Sequence, residues 1–306
     1  MTLPVVVPAT LSNLGPGFDV LGLAVALYNQ FLFEPSGERG QYVDGSAPAT
    51  EDNAVFSAIR AAEETFGARV PHGLILHQAE AVPRARGLGS SATARVAGFI
   101  AWSHYARMRV RLPEALQFLT QLEGHPDTVV AAMCGGVTFS TGGAPFAWRQ
   151  IPAHADLRVV LCIPELRVPT AEARAVLPAQ YERADVVFNL RRLAFLMHGL
   201  ETGDVAALRV GMEDRVHHPY RKQLIGPVDE AIEAAVYKGA AAAFISGSGS
   251  TLAAFVLDPA VDAAAVGAAM ERPLREAKMA RRSLVVRPMN VGAWQLYLDS
   301  VVSDAG

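Results

Sequence analysis

The stretch "RARGLGSSATA", residues 84–94, places Gly87, Leu88, Gly89, Ser90 and Ser91 between a strand-like run and a long apolar, helix-like run. Residues of these types can hold an anion. Glycines keep side chains out of the way, the first N–H groups of a helix lack partners within it, and the helix dipole favours negative charge. Gly87, Gly89 and Ala92 also satisfy the loose dinucleotide pattern. That version needs a following strand and an acidic residue about 20 positions on. Here the next carboxylate is Glu114, beyond the basic "RMRVRLP". The ATPase P-loop needs Gly-Lys-Ser/Thr, and the only three lysines, Lys222, Lys238 and Lys278, fall in the last third of the chain. A phosphate site at this loop must therefore use backbone amides, hydroxyls or an arginine such as Arg86. Taken alone, the loop is equally readable as a plain glycine-rich turn.

The elements around the loop are legible from pattern. Strands are expected at 3–8, 20–34 and 73–80, a helix at 52–67 with Asp52 as a possible cap and Gly67 as its stop, and a long helix at about 90–108. Helices near 113–123 and 126–133 precede a strand pair within 137–151. A second unit begins near 156 with "DLRVVLCIP", followed by helices at 170–176, 184–202, 204–212 and 227–238. The chain ends with a strand–turn–strand around "SGSGST", a helix at 260–279 and a strand at 283–290. Strands and helices mix without strict alternation, which makes the fold class α+β. The expected division is 1–153 and 154–306.

The whole-chain properties exclude several classes. With 306 residues, 51% hydrophobic and 19% charged, the chain can bury a sizeable core. A net charge of −3 offers no basic field for nucleic acid. The start "MTLPVVVPATLSN" lacks a basic leader and no apolar run reaches membrane-span length, so a cytoplasmic protein is expected. Cys134 and Cys162 lie in apolar runs without ligand spacing and read as reduced core thiols. Adjacent His217 and His218 cannot converge on one ion, and no third ligand sits near them.

Three further segments change the reading of the loop. These are "VPATLSNLGPGFDVLGLAV" (7–25), "LEGHPDTVVAAMCGGV" (122–137) and "FISGSGSTLAAF" (244–255). In this order with "GLGSSATA", they resemble the GHMP small-molecule kinase superfamily, and the first resembles its homoserine kinase branch. The resemblance runs from residue 5 to about 290. It implies a two-domain fold, with an N-terminal nucleotide-binding α+β domain and a C-terminal ferredoxin-like one, and it implies ATP and Mg²⁺.

The same resemblance implies roles residue by residue. Gly87–Ser91 would wrap the phosphates, Asn53 would face the adenine, and Ser91 and Glu123 would hold the metal. Arg174 and Arg221 would take the carboxylate of an amino-acid substrate, a task suited to the planar guanidinium fork. Asp19 would meet its ammonium, Asn13 would lie beside the reacting hydroxyl, and Thr10, His125 and Gly247 would complete the pocket. The implied reaction is in-line attack of a hydroxyl on the γ-phosphate, governed by positioning and charge. Its partners are L-homoserine and ATP, without nucleic acid or membrane, and a homodimer is allowed. The sequence departs from the family at Thr128, where asparagine is usual, at Ser250, where proline is usual, and at Arg84 and Arg86, where small or apolar residues are common. The rival readings are a kinase for mevalonate, shikimate or a sugar, a non-catalytic nucleotide or metabolite sensor, and a pyridine-nucleotide oxidoreductase.

Overall fold

A computed structural model of the chain describes residues 1–303. The first unit is built on β2 (Leu21–Ser36), a 16-residue strand long enough to serve three partners. Its residues from Gly22 to Phe33 pair antiparallel with β1 (Leu3–Ser12), interrupted by a bulge at Pro8/Ala9. Its second half also pairs with β5 (Gly73–Glu80) and its first residues with β6 (Val137–Ser140). Short β3 (Tyr42–Asp44) and β4 (Ala47–Pro48) extend the sheet beyond β5, and β7 (Trp148–Ile151) extends it beyond β6.

Four helices accompany this sheet: α1 (Ala54–Phe66), α2 (Ser90–Tyr105), α3 (Leu112–Glu123) and α4 (Pro126–Cys134). α1 starts where the Asn53 side chain accepts from the Val55 and Phe56 N–H groups, and it stops at Gly67 with φ 72°. The cap is thus Asn53 rather than Asp52. α2 is apolar almost all round because it is buried almost all round, with Val96, Phe99, Ile100 and Trp102 inaccessible.

The second unit contains β8 (Arg158–Pro164), α5 (Thr170–Ala175), α6 (Arg183–Thr202), α7 (Val205–Gly211), α8 (His218–Arg221), α9 (Val228–Tyr237), β9 (Ala242–Ile245), β10 (Leu252–Val256), α10 (Ala263–Glu276) and β11 (Arg281–Val286). Its strands run antiparallel in the order β11-β8-β10-β9, which is the expected ferredoxin-like arrangement. α9 and α10 cover one face of the sheet, over a core that includes Val160, Ile245, Val256 and Val266. The opposite face packs on the first unit, where Leu161, Phe244 and Phe255 share a core with Leu11, Leu21 and Leu23. Burial of that apolar area fixes the two sheets relative to each other.

The final helix, α11 (Ala293–Ser303), leaves the second unit. Ala293 is fully buried in the core of the first unit and Trp294 packs 6.3 Å from Phe99. The first sheet ends with β7 at Ile151 and the second begins with β8 at Arg158, and the aromatic face of α11 finds its partners on α2. Among the described residues, no helix is long and apolar enough to cross a membrane.

Candidate active site at the junction of the two units

The site grows from a strained loop. After β1, Asn13, Leu14 and Asp19 all adopt left-handed backbone, with φ of 71°, 45° and 56°. Asn and Asp tolerate this region better than other residues, and a buried leucine there is an outlier held by its surroundings. One buried amide does much of the holding. Asn13 Oδ1 accepts from the Asp19 N–H at 3.0 Å, and its Nδ2 donates to the Gly247 carbonyl at 3.1 Å.

The two glycine-rich loops are fastened to each other. Gly87 has φ 72°, and a Cβ there would fall 2.0 Å from the Ser246 carbonyl. Gly89 has the same φ, and its Cβ would fall 2.1 Å from Thr10 Oγ1. Ser246 Oγ donates to the Gly87 carbonyl at 2.6 Å. Only glycine fits such a seam. Gly89 then caps α2 without any side-chain hydrogen bond to the first turn, so those N–H groups are free for an anion.

On one side of the α2 terminus lies a cavity of about 210 Å³. Arg174 meets Asp19 as a fork, Nη1 to Oδ2 at 2.9 Å and Nη2 to Oδ1 at 2.7 Å. Arg221 is 2% exposed and donates to the Gly247 carbonyl at 2.8 Å and the Ala173 carbonyl at 3.2 Å. Burial, and then the Arg174 charge, draw its pKa down to about 10, so it stays cationic at neutral pH. Phe18 lies near both guanidinium groups, 5.5 and 5.0 Å from centroid to carbon. Across the cavity, His125 Nδ1 meets buried Asp127 Oδ1 at 2.5 Å, and Thr128 Oγ1 is buried with no partner among the described residues. Asp19, His125 and Asp127 bring ligand atoms within 4.8 Å of one another. Asp19 is already matched by Arg174 and Asp127 by His125, so the cluster belongs to a cavity of paired charges that a zwitterion would complete.

On the other side lies a cavity of about 330 Å³ that shares Ala85, Ser90 and Ser91 with the first. Ser91 Oγ donates to Glu123 Oε2 at 3.2 Å, and Arg95 pairs with the same carboxylate oxygen. A hydroxyl and a carboxylate side by side at a phosphate-binding helix terminus fit Mg²⁺, a hard cation that takes oxygen ligands. At the far end, Asp44 accepts from Asn53 Nδ2 at 2.9 Å and from Gln78 Nε2 at 3.1 Å to each oxygen.

Comparison with known proteins decides which chemistry this geometry serves. Residues 53–136 match the GHMP kinases N terminal domain, and residues 196–276 match GHMP kinases C terminal. Homoserine kinase from Trichormus variabilis is 40% identical over 299 residues, covering 93% of this chain and 96% of that protein. The one from Carboxydothermus hydrogenoformans is 36% identical over 300 residues, covering 95% and 96%. The crystal structure of homoserine kinase from Cytophaga hutchinsonii superimposes with a TM-score of 0.85 at 28% identity, covering 95% and 96% of the two chains. The chain belongs to the homoserine kinase family. The Methanococcus jannaschii mevalonate kinase, at 15% identity and a TM-score of 0.68 over 94% of this chain, shares the fold alone.

For a homoserine kinase fold, most of the expected site residues converge. Asn13, Asp19, Arg174, Arg221, His125 and Gly247 all line the first cavity, together with the loop from Arg86 to Ser91 and Glu123. Three placements differ from expectation. Thr10 lies behind Gly89 and lines neither cavity, because its Oγ1 occupies the space a Cβ on Gly89 would need. The Arg86 guanidinium is turned away from the phosphate loop and donates to the carbonyls of Pro164, Arg84 and Glu165, bolting the loop to the second unit. Asn53 lines the second cavity, but its Oδ1 is committed to the α1 cap and its Nδ2 to Asp44.

Other functional positions lay outside the sequence reading. Asp44 and Gln78 line the second cavity, Arg95 pairs with Glu123 of the first, and Asp127 meets His125. In "HPDT" Asp127 stands two residues from the candidate His125; the others carry no local signal. The adjacent histidines serve as struts behind the site. His217 is fully buried with Nε2 at 2.8 Å from the Gly15 carbonyl, and His218 Nε2 accepts from the Ile245 N–H at 3.1 Å. Burial, then the neighbouring His218, push the His217 pKa down to about 3, so it is neutral and donates to Gly15. Burial also raises Cys134 and Cys162 to about 12, as befits unreactive thiols.

Proposed function

We propose that this protein transfers the γ-phosphoryl group of ATP to the side-chain hydroxyl of L-homoserine, giving O-phospho-L-homoserine for threonine biosynthesis. The observation that carries this reading is the buried Arg221 beside the Arg174–Asp19 fork, in a cavity that opens onto the uncapped terminus of α2. Two guanidinium groups suit a carboxylate and Asp19 suits an ammonium, while mevalonate, shikimate and sugars lack that pair of charges. The relatives named homoserine kinase support the same substrate over most of the chain.

The division of labour follows from the geometry. Arg221 is held in place by two carbonyls and presents a fixed charge to the substrate carboxylate. Arg174 turns from Asp19 towards that carboxylate and leaves Asp19 to the ammonium. Asn13 positions the site from behind, since both ends of its amide are engaged with Asp19 and Gly247. The first N–H groups of α2 hold the phosphates in line with the acceptor hydroxyl and stabilise charge that develops on them. Ser91 and Glu123 are the residues that would hold Mg²⁺, which when bound neutralises phosphate charge. Arg95 neutralises Glu123 until then. Soluble substrates of amino-acid synthesis suit a cytoplasmic enzyme.

A coupled ADP-release assay across L-homoserine, L-serine, L-threonine, mevalonate and shikimate tests the reading. The expected result is turnover with L-homoserine well above all others. Highest activity on mevalonate or shikimate would overturn the substrate, and activity on none would point to a sensor.

A further inference from the structure

The floor of the second cavity carries a network that the phosphate chemistry does not use. Asp44 at the end of β3 faces Gln78 on β5 and Asn53 at the cap of α1, and all three line the cavity. An ionised carboxylate accepts hydrogen bonds and donates none. Both Asp44 oxygens accept from Gln78 Nε2 at 3.1 Å, and Oδ2 also accepts from Asn53 Nδ2 at 2.9 Å. The Gln78 amide is therefore locked in one of its two flips. Turning it over would set Oε1 against the carboxylate. In the locked flip, Oε1 has no protein partner among the described residues, and Nε2 keeps a second N–H beyond the one given to Asp44.

We propose that Gln78, oriented by Asp44, determines nucleobase specificity by reading a 6-amino purine through its free Oε1 and remaining N–H. The inference rests on the assignment of this cavity to ATP. A glutamine carboxamide matches the N6 donor and N7 acceptor of adenine bidentately. A 6-keto purine presents acceptors at both positions, so its O6 faces the locked Oε1 and is repelled. Asn53 cannot take this part, because its only carbonyl caps α1. Asp44 thus acts as a positioning residue, and Gln78 as the group that touches the base.

The experiment measures kcat/KM for ATP and for inosine triphosphate, which differ at the exocyclic group, with L-homoserine saturating and the full chain throughout. The wild-type protein should favour ATP. Gln78→Leu should lose most of that preference by weakening ATP about tenfold or more, with the L-homoserine KM unchanged. Asp44→Asn should free the flip and raise the relative use of inosine triphosphate while ATP is still accepted. An unchanged ATP preference in Gln78→Leu would overturn the inference. Ala94→Phe, which fills the same cavity and leaves the Gln78 carboxamide in place, separates this from the larger reading. If it weakens both nucleotides alike, the cavity holds the nucleotide; if it weakens neither, the assignment of the cavity fails and the inference with it. Thermal melting of each variant shows that it is folded.

Discussion

The two cavities meet at Ser90 and Ser91, yet they are built on different principles. The first cavity draws its charged groups from both units and buries two of them, Arg221 at 2% and Asp127 at 3% exposure, while the Arg174–Asp19 fork stays partly open. The second cavity, the proposed nucleotide side, belongs to the first unit and offers backbone amides, serines and amide side chains that a carboxylate holds in place. A small zwitterion has little apolar surface, so it must be selected by buried charge. A triphosphate carries enough charge to be held by a helix terminus, leaving only the base to be read by side chains.

This contrast predicts separable damage. The largest effect is expected from Arg221→Ala, which removes a buried cation facing the substrate carboxylate. Loss of a buried charge partner costs about 2–5 kcal/mol, so kcat/KM for L-homoserine should fall by at least about 30-fold, with the ATP KM nearly intact. Steady-state kinetics in both substrates checks this, and equal damage to both would erase the distinction. Ser91→Ala should do the reverse at smaller scale, raising the MgATP KM by about tenfold for one lost ligand or hydrogen bond to a charged group, and leaving the L-homoserine KM nearly unchanged. Unaltered ATP and Mg²⁺ dependence would remove Ser91 from the metal site.

The remaining effect is on stability and leaves the kinetics aside; it concerns the struts. The native His217 pKa, at about 3, lies below its ordinary value of 6.5. Between these values the unfolded chain binds a proton that the native state refuses. Stability should therefore fall as pH drops through that window, by up to about 1.4 kcal/mol per pH unit from this one group. Asp214 is also held below its ordinary range, so the stability it contributes is lost only at still lower pH, as pH falls through its native pKa. Urea melts from pH 7 to 4 should show the decline, and His217→Gln should flatten it. An unchanged slope in that variant would assign the acid sensitivity elsewhere.

What could be read from the sequence follows from what is local. The glycine and cap signals around α1 and α2 marked real boundaries because Gly67, Gly87 and Gly89 sit where the backbone turns left-handed. The residues singled out by the motif order, from Asn13 through His125 to Arg221, line one cavity. Thr10, Arg86 and Asn53 went to other tasks because their partners lie on distant segments, such as the Pro164 and Glu165 carbonyls for Arg86. Gln78 and Asp44 are 34 residues apart and meet only once β3 pairs with β5. Strands β3 and β4 are too short to show alternation, and α11 owes its position to Trp294 meeting Phe99 across the molecule. Thr128, a departure from the family, lines the first cavity, and its hydroxyl is buried without a hydrogen-bond partner among the described residues.

The central claim is that this cavity selects an amino-acid zwitterion by its charges. The most direct test compares phosphorylation of L-homoserine with that of 3-amino-1-propanol and 4-hydroxybutyrate, which keep the hydroxyl but lack the carboxylate and the ammonium respectively. The account predicts that both analogues fall at least about 100-fold in kcat/KM, because one leaves buried Arg221 and the other leaves Asp19 without its substrate partner. Comparable rates for all three alcohols would contradict it.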